Sequence, residues 1–179
     1  MRVTELDAEA ISLVATIDRS EQVDVEYAVV DGRLVERPIT MVDVPAWDAT
    51  GTGPFSVAAH IAFCVPILAD GAVLLGAADD GPPVGLAVVH PTFEPGLAWL
   101  AFLHVSRPHR RQGAARALWE AAADRARAAG AASMYVSATP TGSAVGFYLQ
   151  QGCRLADPVH PALYAHEPED IHFVCPLDG

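Results

Sequence analysis

The sequence predicts an α/β (α+β) fold, in which one mixed sheet carries helices on both faces. Two features predict it: the second half of the chain is rich in apolar strand-like runs, and two of these runs are each followed by a helical pattern. The 179 residues have the length of one domain, and 51% of them are hydrophobic. A chain of this size buries about 70% of its unfolded surface, which is enough for one core. We therefore predict a single domain over residues 1–179.

The first seventy residues predict short elements between loops. Apolar residues at helical spacing predict a helix over residues 7–17, after a strand-like tip at 2–4. Asp31-Gly32 lies between two strand-like runs and predicts a hairpin. Residues 39–55 are a predicted loop, and a second helix is predicted over 56–69. The breakers in that loop are Pro45, Gly51, Gly53 and Pro54.

The remainder of the chain predicts the sheet. Residues 72–78 and 84–90, joined by Asp-Asp-Gly-Pro-Pro, predict an antiparallel pair, and residues 98–105 have the continuous apolarity of a central strand. Two strand–helix units and a proline-rich loop then lead to the last strand. Their ranges are strand 98–105 with helix 112–129, strand 133–138 with helix 143–152, and last strand 171–177. That apolar last strand is a candidate edge for pairing with a second copy, which would give a homodimer.

The charge and residue inventory excludes several classes of function. With 22 acids against 11 basic residues the net charge is −11, and both nucleic acid and anionic membranes need a broad basic face. The chain has no lysine, which excludes Schiff-base chemistry. Cys64, Cys153 and Cys175 lack metal-ligand spacing, so we predict three buried thiols and no metal. Acids stand where a signal peptide would be basic and then apolar, so we expect a cytoplasmic protein.

One basic turn interrupts this acidic chain, directly after the predicted central strand. No acid occurs in residues 96–118. The predicted helix begins there, and Gly113, Ala114 and Ala115 would leave its free N–H groups open to an anion such as a pyrophosphate. The alternative is that the basic side chains of this turn simply face water. They are Arg107, His109, Arg110, Arg111 and Arg116.

This stretch also carries the first of two motifs by which the chain resembles the GNAT superfamily of N-acetyltransferases. Leu103-His104-Val105 matches the strand ending Leu-x-Val, and residues 110–115 match [QR]-x-x-G-x-[GA]. The second motif is A-x-x-[FL]-Y-x-x-x-G, matched by Ala144, Phe147, Tyr148 and Gly152. The resemblance covers roughly residues 72–177. It implies a mostly antiparallel central sheet, acetyl-CoA as co-substrate bound by residues 71–177, and a substrate side formed by residues 1–70.

The resemblance also implies roles for individual residues. The main chain of Leu103 and Val105 would bind the pantetheine arm, and Tyr148 would protonate the leaving thiolate. Thr141 stands where many members have asparagine, and either it or Ser143 is expected to cap the following helix. The other residues implied in cofactor binding are Arg110, Arg111, Gln112, Gly113, Ala114, Ala115 and Arg116 at the first motif, and Thr141, Ser143 and Phe147 at the second.

The general base is not assigned by the sequence. Many members carry a glutamate on the central strand, whereas residues 98–105 contain no carboxylate. The candidates are His104, Glu94, and an acid of the first half such as Glu26 or Asp43, and proton loss to water is also open. A histidine of near-neutral pKa suits the task, and a satisfied core histidine is the alternative for His104.

We therefore expect an acetyl-CoA-dependent N-acetyltransferase that acts by direct transfer on the primary amine of a small, cationic molecule. The first 50 residues hold 11 acids and 4 arginines, and an acidic turn occupies 167–170. These acids favour a cationic acceptor, although solvated surface acids explain them too. The missing base leaves open a second function, that of an acetyl-CoA-binding sensor or interaction module without catalysis.

Overall fold

A computed structural model describes residues 1–177, and within them seven strands form one sheet in the order β1-β4-β5-β6-β7-β9-β8. Only the β6–β7 pair is parallel among the ladders described for this sheet, so the sheet is mixed and mostly antiparallel, which confirms the predicted fold class. The strands are β1 Arg2–Leu6, β2 Glu21–Val30, β3 Arg33–Val44, β4 Val73–Ala78, β5 Gly85–Glu94, β6 Leu97–Val105, β7 Ser133–Ala138, β8 Arg154–Leu155 and β9 Ile171–Pro176. The helices are α1 Val57–Ala69, α2 Ala114–Ala128, α3 Gly142–Gln150 and α4 Pro161–His166, with 3₁₀ helices at Ala8–Thr16 and Arg107–His109.

The sheet separates the core into two layers because side chains alternate along each strand. On one face, α2 and α3 cover residues such as Leu100 and Val136. On the other face, the first 3₁₀ helix, α1 and α4 cover residues such as Phe102 and Tyr135. The central strand β6 is therefore covered on both sides, as its continuous apolarity predicts.

The helix ends follow capping rules. The Ser56 hydroxyl accepts from the Ala59 N–H at 3.1 Å and begins α1. The Thr141 hydroxyl accepts from the Ala144 N–H at 3.4 Å and begins α3, which confirms Thr141 as a cap. Gly130 follows α2 with φ +88°, a left-handed conformation that glycine adopts without steric cost.

The predicted hairpin is confirmed, and it forms a separate two-stranded sheet of β2 and β3. Asp31 and Gly32 both have positive φ (50° and 71°), as a type I′ turn requires. The hairpin contacts the rest of the protein at the start of α3. The Tyr27 N–H donates to the Pro140 carbonyl at 2.8 Å, and Val25 lies against Gly142. The first part of the chain is thereby joined to the second predicted motif.

Three secondary-structure predictions are wrong in part. Residues 8–16 form a 3₁₀ helix rather than an α-helix, because buried Ile11, Val14 and Ile17 recur every three residues. The predicted loop over 39–55 is strand up to Val44, where β3 still pairs with β2 and no breaker occurs before Pro45. The proline-rich loop before the last strand contains α4, in which proline occupies the first helical turn.

The last strand is not a sheet edge. β9 lies between β7 and β8, so its main chain is engaged on both sides at Phe173 and Val174. The reason for expecting a homodimer through this strand is therefore removed, and a homodimer as such stays a prediction.

The prediction of three free thiols is also wrong, because Cys153 and Cys175 form a disulfide. Cys153 follows the end of α3 and Cys175 lies on β9, and packing of these elements brings the two Cα atoms to 4.0 Å. Cys64 is the free, buried cysteine among the described residues. A pairing that depends on tertiary packing leaves no spacing rule in the sequence.

Candidate active site

The two central strands diverge halfway along their length. β6 and β7 pair from Leu97↔Ser133 to Leu100↔Val136, and no further pair between them occurs in the described residues. At the same point the β5–β6 register slips between Val88 and Val89, so that Ala101 is an extra residue on β6. Such a bulge bends the strand that carries it. We refer to the space between residues 101–105 of β6 and the end of β7 as the β6–β7 gap.

The main chain of β6 presents free polar groups to this gap. The Ser106 N–H donates to the Val84 carbonyl at 2.8 Å on the β5 side. Because strand groups alternate in direction, the N–H and C=O groups of Leu103 and Val105 point to the β6–β7 gap. The Val105 carbonyl accepts from Arg110 Nε at 3.0 Å, in agreement with that direction. The gap therefore offers hydrogen-bonding groups along one wall, as an added strand or an extended ligand would need.

Beyond β6 the chain turns directly into α2. Arg111 and Gly113 have left-handed φ values of 60° and 89°. A positive φ is costly for arginine, and such strain is often retained where the local shape has a use. Gly113 caps α2 without a side-chain hydrogen bond, and a Cβ built on it would meet open space. The first N–H groups of α2 lie at the positive end of the helix dipole, and no side chain covers Gly113.

Three polar side chains of this turn are engaged with protein. Arg110 donates through Nη2 to the Arg19 carbonyl at 2.9 Å, and its Nη1 lies 3.6 Å from Glu21 Oε2. Gln112 Nε2 donates to the Pro108 carbonyl at 2.9 Å, and Arg116 pairs with Glu120 at 2.8 Å. Arg111 is exposed. Arg110 therefore joins the end of β6 to the start of β2, and the turn faces a ligand mainly with its main chain.

Tyr148 lies on the α2/α3 face of the sheet and is 7% exposed. Its ring centroid lies 5.8 Å from that of Trp119, 5.2 Å from that of Phe147 and 6.3 Å from that of Phe173. Within residues 1–177 its hydroxyl has no hydrogen-bond partner closer than 3.5 Å. Burial raises the pKa of Tyr148, and the negative charges of Asp170 and Glu167 raise it further. The phenol is therefore held in its protonated form.

Thr141 and Ser143, whose hydroxyls are 3.2 Å apart, lie at the other end of α3.

His104 lies on the opposite face, in an aromatic cluster. Its ring centroid lies 5.1 Å from that of Trp47 and 4.8 Å from that of Phe102, and the tilted ring of His60 lies 3.8 Å from that of Trp47. Burial lowers the pKa of His104 to about 3, and the positive charges of His60, Arg19 and Arg110 contribute. His104 is therefore neutral at physiological pH, and holding a proton there is strongly disfavoured.

The wall beyond this cluster combines an arginine with an unpaired indole. The Arg19 guanidinium lies 4.5 Å over the Trp47 ring centroid and 5.0 Å from that of Phe55. Trp47 is 8% exposed, and its Nε1 has no partner among the described residues. A buried N–H without a partner is costly, and a bound ligand is one way to satisfy it.

An acidic loop between α4 and β9 closes the same face from the β7 side. His172 contacts Ser137 Oγ at 3.4 Å and the Glu167 carbonyl at 3.0 Å. Burial raises the pKa of Glu167, partly offset by Ser137. Burial, with the charges of Glu167 and Glu169, raises the pKa of Asp170 to about 7. We call Glu167 and Asp170 the acidic pair. The sequence identified this turn as acidic but did not indicate Asp170 as a base.

The other candidate bases lie outside the acidic loop, and Glu26 forms a β-bridge with Thr141 at the start of α3. Glu94 is opposite Leu97, at the far end of β6 from Leu103, and its Oε1 lies 3.0 Å from His160 Nε2. Glu26 and Asp43 are exposed on the hairpin, where Asp43 accepts from Gln22 Nε2 at 3.0 Å. The structure thus brings together Tyr148, the acidic pair and the gap, and it separates them from Glu94.

Two further properties of the described residues concern partners. No cluster of three or more His, Cys, Asp or Glu side chains suited to a metal ion occurs in residues 1–177. The helices in that range all fall short of the length and apolarity needed to span a membrane.

Known proteins share this architecture. A family model described as the acetyltransferase (GNAT) family matches residues 44–153, more than half of the chain. Nourseothricin acetyltransferase superposes with a TM-score of 0.73 at 20% identity, covering 99% of this chain and 98% of that one. A streptothricin acetyltransferase candidate from Bacillus anthracis str. Ames, solved with acetyl coenzyme A, gives 0.67 at 12% identity, covering 99% and 100%. The ribosomal-protein-S18-alanine N-acetyltransferase from Escherichia coli gives 0.57 at 13% identity, covering 99% and 94%. No curated protein matches the chain.

Proposed function

The chain belongs to the acetyltransferase (GNAT) family, and from that premise we propose that it transfers an acetyl group from acetyl-CoA to the primary amine of a small, cationic molecule. The observation that carries the proposal is the β6–β7 gap, which ends at the uncapped N-terminus of α2. An extended, strand-like arm needs the free main-chain groups of such a gap, and a diphosphate attached to it needs a helix N-terminus at the end of the gap.

The gap and the turn assign cofactor contacts to main-chain groups. Leu103 and Val105 offer N–H and C=O groups to the pantetheine arm. The amides of residues 111–116 face the pyrophosphate at the helix dipole, where no side chain occupies the space above Gly113. Phe147 and the start of α3 line the opposite wall. Recognition through main-chain groups explains why Arg110 can be engaged with Arg19 without loss of the site.

Transfer would then use groups that line the gap. The amine attacks the thioester carbonyl, and the Val105 N–H donates to the oxygen on which negative charge develops. Tyr148 gives its proton to the departing thiolate. Its raised pKa keeps the phenol protonated between turnovers, so the acid is present when the thiolate forms.

The charge of the other face supports a cationic acceptor. The acidic pair lies at this end of the sheet, beside neutral His172 and Ser137. The hairpin that meets α3 carries Asp24 and Glu26 on its exposed surface. An ammonium group would relieve the mutual repulsion of the acidic pair, which is a source of binding free energy that a neutral or anionic acceptor lacks.

Replacement of the proposed acid tests this function. Tyr148→Phe removes the hydroxyl and keeps the ring, and thiol release is followed with acetyl-CoA and three amines: spermidine, kanamycin and nourseothricin. We expect kcat to fall about 10²-fold, the usual contribution of a positioned general acid. Tyr27→Phe is the matched control, since its hydroxyl contacts Glu36 at 3.0 Å on the hairpin. Equal rates in wild type and Tyr148→Phe would remove Tyr148 from the mechanism.

A second function is favoured by one observation, the absence of a carboxylate from β6 together with the neutrality of His104. On that alternative the protein binds acetyl-CoA as a sensor or interaction module. Melting temperature and thiol release together distinguish the two functions. Acetyl-CoA would raise the melting temperature in both cases, but no amine would give thiol release if the protein only binds.

A further inference from the structure

Asp170 lies beside the end of β7, at the level where β7 no longer pairs with β6. It directly precedes Ile171, which pairs with Ala138, the last residue of β7. The Asp170 N–H donates to the Glu167 carbonyl at 3.2 Å, which fixes a tight turn before β9. Asp170 is therefore held beside the end of β7, and it is only partly exposed.

Asp170 and Tyr148 approach the same space from different elements. Tyr148 belongs to α3 and packs against Phe173 of β9, while Asp170 lies three residues before Phe173. Among charged groups, Asp170 has the largest influence on the Tyr148 phenol. Tyr148 as a residue is 7% exposed, and its hydroxyl has no hydrogen-bond partner in residues 1–177. A ligand group placed between the two would therefore contact a proton donor and a proton acceptor.

We propose that Asp170 is the general base of the transfer and accepts a proton from the ammonium group of the acceptor. This inference rests on the proposed function, and it assigns the group that the sequence left open. Glu167 would remain beside it as a second negative charge that binds the same ammonium.

The surroundings of Asp170 suit this task. The groups that face it are Glu167 and Glu169 of its own loop and Tyr148 of α3, with His172 of β9 and Ser137 of β7 next to Glu167. Because Asp170 is largely buried and the neighbouring charges of Glu167 and Glu169 are negative, its pKa is raised above that of an ordinary aspartate. A base with affinity for a proton near neutral pH accepts it readily and releases it again, which is the best compromise for general-base catalysis.

In this transfer each proton and each electron pair has a donor and an acceptor. Asp170 takes one proton from R–NH₃⁺, and the freed lone pair forms the C–N bond to the acetyl carbon. The C–S bond then breaks with its electron pair on sulfur, and Tyr148 gives that sulfur its proton. The second proton of the nitrogen restores the Tyr148 phenol, and Asp170 releases its proton to solvent. The products are an amide, a thiol and one proton.

His104 is the competing base, and it differs from Asp170 in position and in proton affinity. It lies among Trp47, Phe102 and His60 and has no hydrogen-bond partner among the described residues. Its burial among positive charges opposes protonation, whereas the surroundings of Asp170 favour it. Of the two candidates, Asp170 is therefore the group with the higher affinity for a proton.

The test compares pH profiles of kcat for wild type, Asp170→Asn, His104→Gln and Glu169→Gln, using the amine that wild type acetylates fastest. We expect the wild-type rate to fall below about pH 7. Asp170→Asn should lose about 10²-fold in kcat together with this acidic limb, and His104→Gln should keep the limb. Glu169→Gln should move the limb to lower pH, because a negative charge beside Asp170 is removed. The last variant tests the base without altering it.

The pH profiles distinguish Asp170 as the base from His104 as the base and from a role of Asp170 in orienting the acceptor. The proposal would be overturned if Asp170→Asn kept the wild-type kcat and the fall in rate on the acidic side. It would also be overturned if His104→Gln lost that acidic limb. A slower Asp170→Asn that keeps the limb would also overturn it, since Asp170 would then only orient the acceptor. An acetyl-CoA-induced rise in melting temperature, measured for each variant, checks that the fold and the cofactor site persist. Failure of wild type to acetylate any amine despite that rise would overturn the proposed function, and this inference with it.

Discussion

Replacing Asp170 by asparagine should stabilise the protein at alkaline pH and leave its stability unchanged in acid. The pKa of Asp170 is raised from 3.8 to about 7. The folded state therefore binds more protons than the unfolded state between these two values, so stability falls as pH rises through this window. A shift of about 3 units corresponds to at most about 4 kcal/mol, and partial exposure of the carboxyl group reduces this to about 2 kcal/mol. Asparagine has the same shape and carries no charge to desolvate.

Urea unfolding at pH 4.0 and pH 8.0 measures the effect. We expect Asp170→Asn to exceed wild type by about 2 kcal/mol at pH 8.0 and to equal it at pH 4.0. Asp43→Asn is the matched control, because Asp43 is exposed on the hairpin and contacts only Gln22 among the described side chains. An Asp170→Asn variant that is less stable than wild type at pH 8.0 would contradict this prediction. The carboxylate would then be a net stabilising group rather than one retained for chemistry.

Two further predictions concern the cofactor turn and the disulfide. Gly113→Ala and Gly130→Ala place a methyl group at the two ends of α2, where φ is +89° and +88°, so both should cost roughly 1 kcal/mol of stability. Only Gly113→Ala should weaken acetyl-CoA binding, by about tenfold in a calorimetric titration, and equal Kd values would contradict the pyrophosphate assignment. Replacing Cys153 and Cys175 by serine opens a loop with a sequence separation of 22 and should cost about 3 kcal/mol. Dithiothreitol should lower the wild-type melting temperature to that of the double variant, and an unchanged value would contradict a stabilising bond.

The elements of the cofactor half are readable in the sequence because they are local. A continuous apolar strand, a basic turn and an alanine-rich helix follow one another, and β6 and α2 form where these patterns predict them. The divergence of β6 from β7 is different. It coincides with an extra residue at Ala101, where neither glycine nor proline marks the bulge. The sequence pattern of an apolar strand is the same with or without such a residue.

The residues proposed to meet the acceptor could not be predicted from the sequence, because they come together only through tertiary packing. Asp170 and Tyr148 are brought together by α3, β9 and the turn between α4 and β9, and Trp47 reaches His104 from a segment before α1. The acidic turn at 167–170 was visible as charge, but the proton affinity of Asp170 comes from burial, which composition does not reveal. The Cys153–Cys175 bond escaped prediction for the same reason.

The most direct test of the central claim is a crystal structure of the protein grown with CoA. We expect the pantetheine arm to lie between β6 and β7, with hydrogen bonds to the main chain of Leu103 and Val105. We also expect the pyrophosphate within roughly 3 Å of the first N–H groups of α2. The thiol should point toward Tyr148 and Asp170. CoA bound elsewhere, or a β6–β7 gap closed by strand pairing in the complex, would contradict the account.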